Sequence, residues 1–157
     1  MKKGKFSIAQ KDEEMWELIR ETDKKTLAVW ALDCAKRVLP YFEKARPKDR
    51  RPQVALETLQ TWIKTGEFKM SVIRKASLDS HAAARDVGED SPARSAARAC
   101  GQAVATAHVK THAYGPAIYA QQAVFRATNS LEEVQKERDW QRKKLLLPNK
   151  KYPEINH

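Results

Sequence analysis

Apolar residues recur along most of this chain at spacings of three and four, the repeat that places side chains on one face of an α-helix. The clearest apolar stripe follows Asp23 and consists of Leu27, Trp30, Ala31, Cys34, Val38, Tyr41 and Phe42. Alternating apolar and polar runs, the pattern of half-buried strands, are absent, and glycine occurs only five times. The pattern therefore predicts an all-α fold in which about six to seven helices form a single domain over residues 1–157.

Capping residues and prolines place several helix boundaries. Asp23 has the side chain of an N-cap, and Pro52 suits the first turn of a third helix. Gly66 follows the last apolar position of that helix and is expected to end it. Pro40 lies within the last turns of the second helix and is expected to kink or terminate it.

An alanine-rich region dominates the second half of the chain. The 35 residues from Ala93 to Ala127 include 12 alanines. Because small side chains let helix backbones approach closely, this region predicts a helix pair in the core of the bundle. Proline lacks an amide donor and clashes with the preceding turn, so the pair is expected to meet in a corner at Gly115 and Pro116.

Three histidines are the candidate metal ligands. His108 and His112 are four residues apart in the alanine-rich region, a spacing that places both imidazoles on one face of a helix. Zinc needs about four ligands, or three and a water, so His81 would be the third, with Asp79 or Cys100 as candidate fourth ligands. The alternative is that the histidines are structural and donate ring N–H groups to neighbours, which the sequence favours. We therefore predict no bound cofactor, and keep zinc or another divalent metal as the alternative.

Catalytic motifs are absent from the sequence. Val109 stands where a metalloprotease H-E-x-x-H motif would need its glutamate, and there is no G-x-S-x-G segment or glycine-rich phosphate loop. Cys34 and Cys100 are isolated thiols within helical patterns, and we expect both to be buried and reduced. These observations favour a protein that is not an enzyme. A metal-dependent helical-bundle enzyme that uses the three histidines is the alternative.

The net charge of +10 is spread along the chain, which favours a solvated basic surface, with an acidic protein partner or nucleic acid as the alternatives. Its densest part is residues 138–151, but glycine and aromatic residues that would stack on bases are not interleaved there, so nucleic acid is the less favoured partner.

We expect a flexible arm at residues 1–10 and an extended basic tail at residues 145–157. The basic N-terminus precedes no apolar run, and no stretch of about 18 apolar residues occurs, so a cytoplasmic protein without a membrane span is predicted.

A last helix is expected to begin at the capping box formed by Ser130 and Glu133 and to extend to about Lys144. Tryptophan and arginine are enriched at the energetic centres of protein interfaces. Arg138, Trp140 and Arg142 are therefore the candidate partner-binding residues. Trp140 could instead dock this charged helix onto the bundle.

Four segments of the chain resemble the Imm-5-like immunity proteins of bacterial polymorphic toxin systems, and the similarity runs over about residues 24–127. The segments are ALDCAKRVLPYFEKARPKDRRP, LQTWIKTGEF, SHAAAR and GQAVATAHVKTHAYGPAIYAQQA. The resemblance implies a small all-α cytoplasmic protein that neutralises a toxin by binding it. Gln102 stands where the family pattern is expected to have histidine, which weakens the metal hypothesis.

The positive net charge adds to what the resemblance implies. An inhibitor of a nuclease toxin would use an acidic face to cover a basic active site, whereas this chain is basic. Its charge therefore favours a partner with an acidic surface.

Overall fold

The computed structural model describes residues 12–147, and within this range the chain forms seven α-helices, one short 3-10 helix and no strand. The helices are α1 (Glu13–Glu21), α2 (Lys24–Ala45), α3 (Arg51–Thr65), α4 (Met70–Val87), α5 (Pro92–Ala105), α6 (Tyr114–Thr128) and α7 (Leu131–Leu146), and the 3-10 helix (Lys110–Ala113) precedes α6. The prediction of a single all-α helical domain is confirmed. The arm expected at residues 1–10 and residues 148–157 of the expected tail lie outside the described residues.

The capping residues act as the sequence predicts. The Asp23 carboxylate accepts a hydrogen bond from the amide of Thr26 at 3.0 Å, and Gly66 ends α3 in the left-handed conformation at φ 69°. Pro40 does not terminate α2, which continues to Ala45. Pro40 and Lys36 both lie on the exposed side of α2, where the loss of one backbone hydrogen bond is least costly.

Helix α5 is the centre of the bundle and packs against α2, α3, α4 and α6. Its inner residues are small and fully buried, including Ala96, Ala97, Ala99, Cys100, Ala103 and Val104. Two serines of α4 donate to carbonyl oxygens of α5: Ser77 to Gly101 and Ser80 to Ala97, each at 2.8 Å. Such bonds require the close approach that small residues permit. The expected alanine-rich pair consists of α5 and α6, which pack against each other with Ala117, Ala120 and Ala123 of α6 buried, so that prediction is confirmed.

The break between α5 and α6 is not where the sequence analysis places it. Helix α5 ends at Ala105, and Gly115 and Pro116 lie in the first turn of α6. The first amides of a helix have no partner within the helix, so a proline there costs no hydrogen bond and starts the helix instead of interrupting it. Consequently His108 lies in a turn and His112 in the 3-10 helix, and the two do not share the face of an α-helix.

Helix α7 attaches to the bundle through polar groups as well as Val134 and Leu145. The indole nitrogen of Trp30 donates to the carbonyl of Gln141 at 2.9 Å, and the Gln141 amide donates to the carbonyl of Ala117 at 2.9 Å. The helix extends to Leu146, two residues beyond its expected end. None of the helices in residues 12–147 combines the length and apolar character needed to cross a membrane.

Candidate functional site

The three candidate metal ligands each have a different neighbour. The ring of His108 stacks on that of Phe68 with 5.9 Å between centroids, and the Nδ1 atom of His112 lies 3.0 Å from the Gln102 side-chain oxygen. The Nδ1 atom of His81 lies 2.9 Å from an Arg98 guanidinium nitrogen. Across residues 12–147, no three His, Cys, Asp or Glu side chains are arranged to hold a metal ion. Zinc binding stays a prediction that the arrangement of these side chains does not support.

The contact with Arg98 sets the protonation state of His81. A guanidinium can only donate hydrogen bonds, so Nδ1 of His81 accepts and the ring proton resides on Nε2. Burial, followed by the positive charges of Arg98 and Arg85, lowers the pKa of His81 to about 4. At neutral pH His81 is therefore an uncharged imidazole that fixes the position of Arg98.

Gly101 creates the space that the His81 ring occupies between α4 and α5. A Cβ atom at position 101 would lie 2.7 Å from Nε2 of His81 and 2.9 Å from its Cδ2 atom. Both distances are shorter than Cβ atoms adopt in folded proteins, so a side chain at position 101 would force the His81 ring to move. The geometry gives His81 a packing role at this helix contact.

The partly exposed side of α5 contains Arg94, Arg98 and Gln102, which recur at intervals of four residues. Helix α4 contributes Arg85 on one flank, and α6 contributes Arg126 on the other. We refer to Arg85, Arg94, Arg98 and Arg126 together as the arginine face.

One carboxylate serves two residues of the arginine face. Oδ1 of Asp90 lies 3.3 Å from a guanidinium nitrogen of Arg94 and 3.3 Å from one of Arg126. Neither Arg98 nor Arg85 pairs with a carboxylate of residues 12–147, and the hydrogen bond to His81 is the one that Arg98 makes there. Two of the four arginines thus share a single aspartate, and the other two have no carboxylate partner in residues 12–147, which leaves this face with an excess of positive charge.

The electrostatic environment reflects this excess. Burial lowers the pKa of Arg98; Tyr119 acts in the opposite direction, and the charges of Arg94 and Arg85 add to the lowering. Burial likewise lowers the pKa of Arg126, where Asp90 opposes the shift and Arg94 adds to it. The charged guanidinium groups are therefore held partly desolvated beside one another, an arrangement that an additional negative charge would stabilise.

Neither cysteine is placed for nucleophilic chemistry. Cys34 and Cys100 are free thiols that are fully buried, as the sequence analysis expects. Burial raises the pKa of each thiol well above its ordinary value, so the reactive thiolate form does not accumulate.

The candidate partner-binding residues of α7 make contacts within the chain. The guanidinium of Arg138 donates to Asp12 at 2.8 Å, and that of Arg142 donates to Glu14 at 2.8 Å, which ties α7 to the start of α1. The Arg37 guanidinium carbon lies 3.9 Å from the centroid of a Trp140 ring. Trp140 therefore packs α7 against α2, and partner binding by these three residues stays a prediction.

The arginine face is not among the sites predicted from the sequence. The signal was present in the polar residues Arg94, Arg98 and Gln102, which recur every fourth position within an otherwise small-residue helix. That spacing places the three residues on the partly exposed side of α5. The contributions of Arg85 and Arg126 depend on how α4 and α6 pack and had no local signal.

Comparison with models of known protein families identifies the family of this chain. The model of the family described as "Imm-5 like putative immunity protein" matches residues 17–148. The chain belongs to this family. The match confirms the resemblance seen over residues 24–127, extends it into α1 and α7, and includes the whole arginine face of this Imm-5 like chain. No curated protein and no solved structure matches it.

Proposed function

We propose that this chain is a cytoplasmic immunity protein that binds a toxin and neutralises it by stoichiometric, non-catalytic association. The observation that carries the proposal is the family match over residues 17–148. Two features of the fold support binding as the mechanism. The histidines have separate neighbours, and the buried cysteines lack thiolate character.

The architecture suits an inhibitor that acts by complementarity. Helix α5 is enclosed by four other helices, so the residues on its outer side are presented by a rigid element. A surface that is already ordered loses little conformational entropy on association, which favours tight binding. The positive charge of the chain supports an acidic binding surface on the toxin.

The test uses, as candidate toxin, the product of any toxin gene that lies beside the gene for this chain. We expect isothermal titration calorimetry to show a complex of one chain to one toxin, and expression of the chain to restore growth of cells that produce the toxin. A toxin from an unrelated system, titrated in parallel, is the control and should give no heat of binding. The absence of both a complex and protection would contradict the proposal.

A second measurement separates binding from catalysis. Toxin recovered from the complex by denaturation and refolding should have an unchanged mass and regain its full activity. A covalently altered toxin, or protection by a small fraction of one equivalent of the chain, would show that the chain is an enzyme.

A further inference from the structure

We propose that the arginine face is the surface that docks the toxin, and that it takes an acidic segment whose aspartate or glutamate side chains pair with Arg98 and its neighbours. This inference rests on the proposed function and adds to it the binding surface and the chemistry of the partner. Residues 94 and 98 belong to α5, and residues 85 and 126 belong to α4 and α6, which pack against α5.

The guanidinium group is suited to this ligand. Its planar fork donates two parallel hydrogen bonds to a carboxylate, and such charge-assisted pairs are roughly twice as strong as neutral hydrogen bonds. Arg98 uses one nitrogen for His81 at 2.9 Å and has no carboxylate partner in residues 12–147. Donors of Arg98 therefore remain for a group on another molecule.

Asp90 shows how a carboxylate engages this face. A single oxygen of Asp90 lies 3.3 Å from both Arg94 and Arg126 and thus bridges α5 and α6. The Asp90 side chain is 75% exposed and can turn into solvent when another carboxylate arrives. The chain thereby contains an example of the contact that we propose for the toxin.

The arginines are held in place by polar groups behind them. His81 accepts from Arg98 and is itself packed against Gly101. On α6, Arg126 donates to the Ser95 hydroxyl at 3.0 Å, and that hydroxyl donates to Gln122 at 2.9 Å. Arginines fixed in this way lose little side-chain freedom on binding, which raises affinity for a complementary partner.

The dimensions of the face define the partner segment. From Arg94 to Gln102 the helix rises about 12 Å, which an extended segment of about four residues spans. Next to Gln102 lies His112, whose Nδ1 atom is 3.0 Å from the Gln102 side-chain oxygen; His108 acts electrostatically on His112, and its ring stacks on that of Phe68. We therefore expect acidic residues opposite Arg94 and Arg98 and an apolar residue opposite Phe68, which is 44% exposed.

The test compares two double variants that remove the same charge. Arg85→Gln/Arg98→Gln changes the arginine face, and Arg138→Gln/Arg142→Gln changes α7. The probes are a short fluorescent peptide of alternating glutamate and alanine and, separately, the toxin encoded by the neighbouring gene. We expect the first double variant to raise the Kd for both probes about tenfold or more, and the second to change it by less than about twofold.

Three results would overturn the inference. The first is an equal rise in Kd for both double variants, which would indicate a general charge effect. The second is an unchanged Kd for Arg85→Gln/Arg98→Gln. The third is wild-type protein that binds duplex DNA more tightly than the acidic peptide, with the DNA binding lost in Arg85→Gln/Arg98→Gln. Should Arg85→Gln/Arg98→Gln fail to fold by circular dichroism, Arg85→Glu replaces it, because Arg85 is exposed and makes no hydrogen bond or ion pair within residues 12–147. That single reversal is expected to raise the Kd about fivefold.

The two proposals fail in different ways. If wild-type protein does not bind the toxin, the proposed function fails, whatever the acidic peptide does. If wild-type protein binds the toxin and Arg85→Gln/Arg98→Gln binds it equally well, the immunity function stands and the arginine face is not the docking surface.

Discussion

Arginines on two sides of the bundle have opposite surroundings. At α7 each arginine has its own carboxylate: Arg37 pairs with Glu137, Arg138 with Asp12 and Arg142 with Glu14. On the arginine face, Arg94 and Arg126 share Asp90, while Arg85 and Arg98 pair with no carboxylate of residues 12–147. The same residue type is therefore used to join helices at α7 and is left with unmatched charge on α5.

This difference distinguishes arginines whose charge is paired within the chain from arginines whose charge can pair with another molecule. Glu137 is 6% exposed and makes a two-point contact with Arg37, so neither group of that pair is free for a partner. Arg98 is partly buried without such a partner, and burying an unpaired charge lowers the stability of the fold. A residue of this kind is retained when it serves a function. Binding to another molecule is the function that we propose.

The largest expected effect is the loss of stability on removing Arg37, the arginine paired with the buried Glu137. Arg37→Ala should lower the free energy of unfolding by about 3 kcal/mol, because it leaves the buried Glu137 carboxylate without its partner. Arg98→Ala leaves no carboxylate behind and should cost less than about 1 kcal/mol. Urea denaturation of the two variants checks this, and equal losses would show that the two arginines do not differ in role.

The second effect follows from the position of His81. Its pKa is about 4 in the folded chain and about 6.5 in the unfolded chain, so between these values the unfolded state alone takes up the proton. Stability that is present above pH 6.5 should therefore be lost as the pH falls toward 4, by about 2 kcal/mol after allowance for solvent.

His81→Asn is the matched variant for this prediction, since asparagine keeps an acceptor for Arg98 and does not titrate. Its free energy of unfolding, measured by urea denaturation at several pH values, should fall less steeply over the same range than that of the wild type. Parallel curves for the two proteins would contradict the assignment of an uncharged His81.

A third prediction concerns the support of Arg98. Gly101→Ala adds a methyl group 2.7 Å from Nε2 of His81 and should displace the ring. The gain in helix propensity, about 1 kcal/mol, is smaller than the cost of overpacking, so a net loss of about 1 kcal/mol is expected. NMR titration should show the pKa of His81 rising toward 6.5 in this variant. An unchanged titration would mean that the contact with α5 does not hold the ring.

The smallest effect lies at the outer pair of α7. Arg142→Gln should change the free energy of unfolding by less than about 0.5 kcal/mol, because Arg142 is 48% and Glu14 is 57% exposed, and solvent screens the pair. Thermal unfolding followed by circular dichroism measures this. A loss as large as that of Arg37→Ala would show that exposure does not govern how strongly these pairs stabilise the fold.

Local signals explain which parts of the fold could be predicted. Helix periodicity, the Asp23 cap and Gly66 each act within a few residues, so the sequence alone places them. Pro116 was misread because a proline breaks the interior of a helix but is accommodated in its first turn, and which case applies depended on where α5 ends. Placing the break at Gly115 and Pro116 also led to the wrong shared helix face for His108 and His112.

The candidate site depends on packing between helices and was harder to predict. The pairing of Trp140 with Arg37 joins residues far apart in the chain, and so does the contact of His81 with Arg98. No spacing within one segment encodes such contacts. The sequence does contain the four-residue repeat of Arg94, Arg98 and Gln102. That this repeat lies on a partly exposed side of α5 is known only from the packing of the neighbouring helices.

The most direct test of the difference between the two sets of arginines is an NMR spectrum of their Nε–H groups, recorded with and without the toxin encoded by the neighbouring gene. We predict that the signals of Arg98 and Arg94 shift or broaden on binding, while those of Arg37 and Arg138 remain in place. Shifts confined to Arg138 and Arg142, with the Arg98 signal unchanged, would contradict the account and assign partner binding to α7.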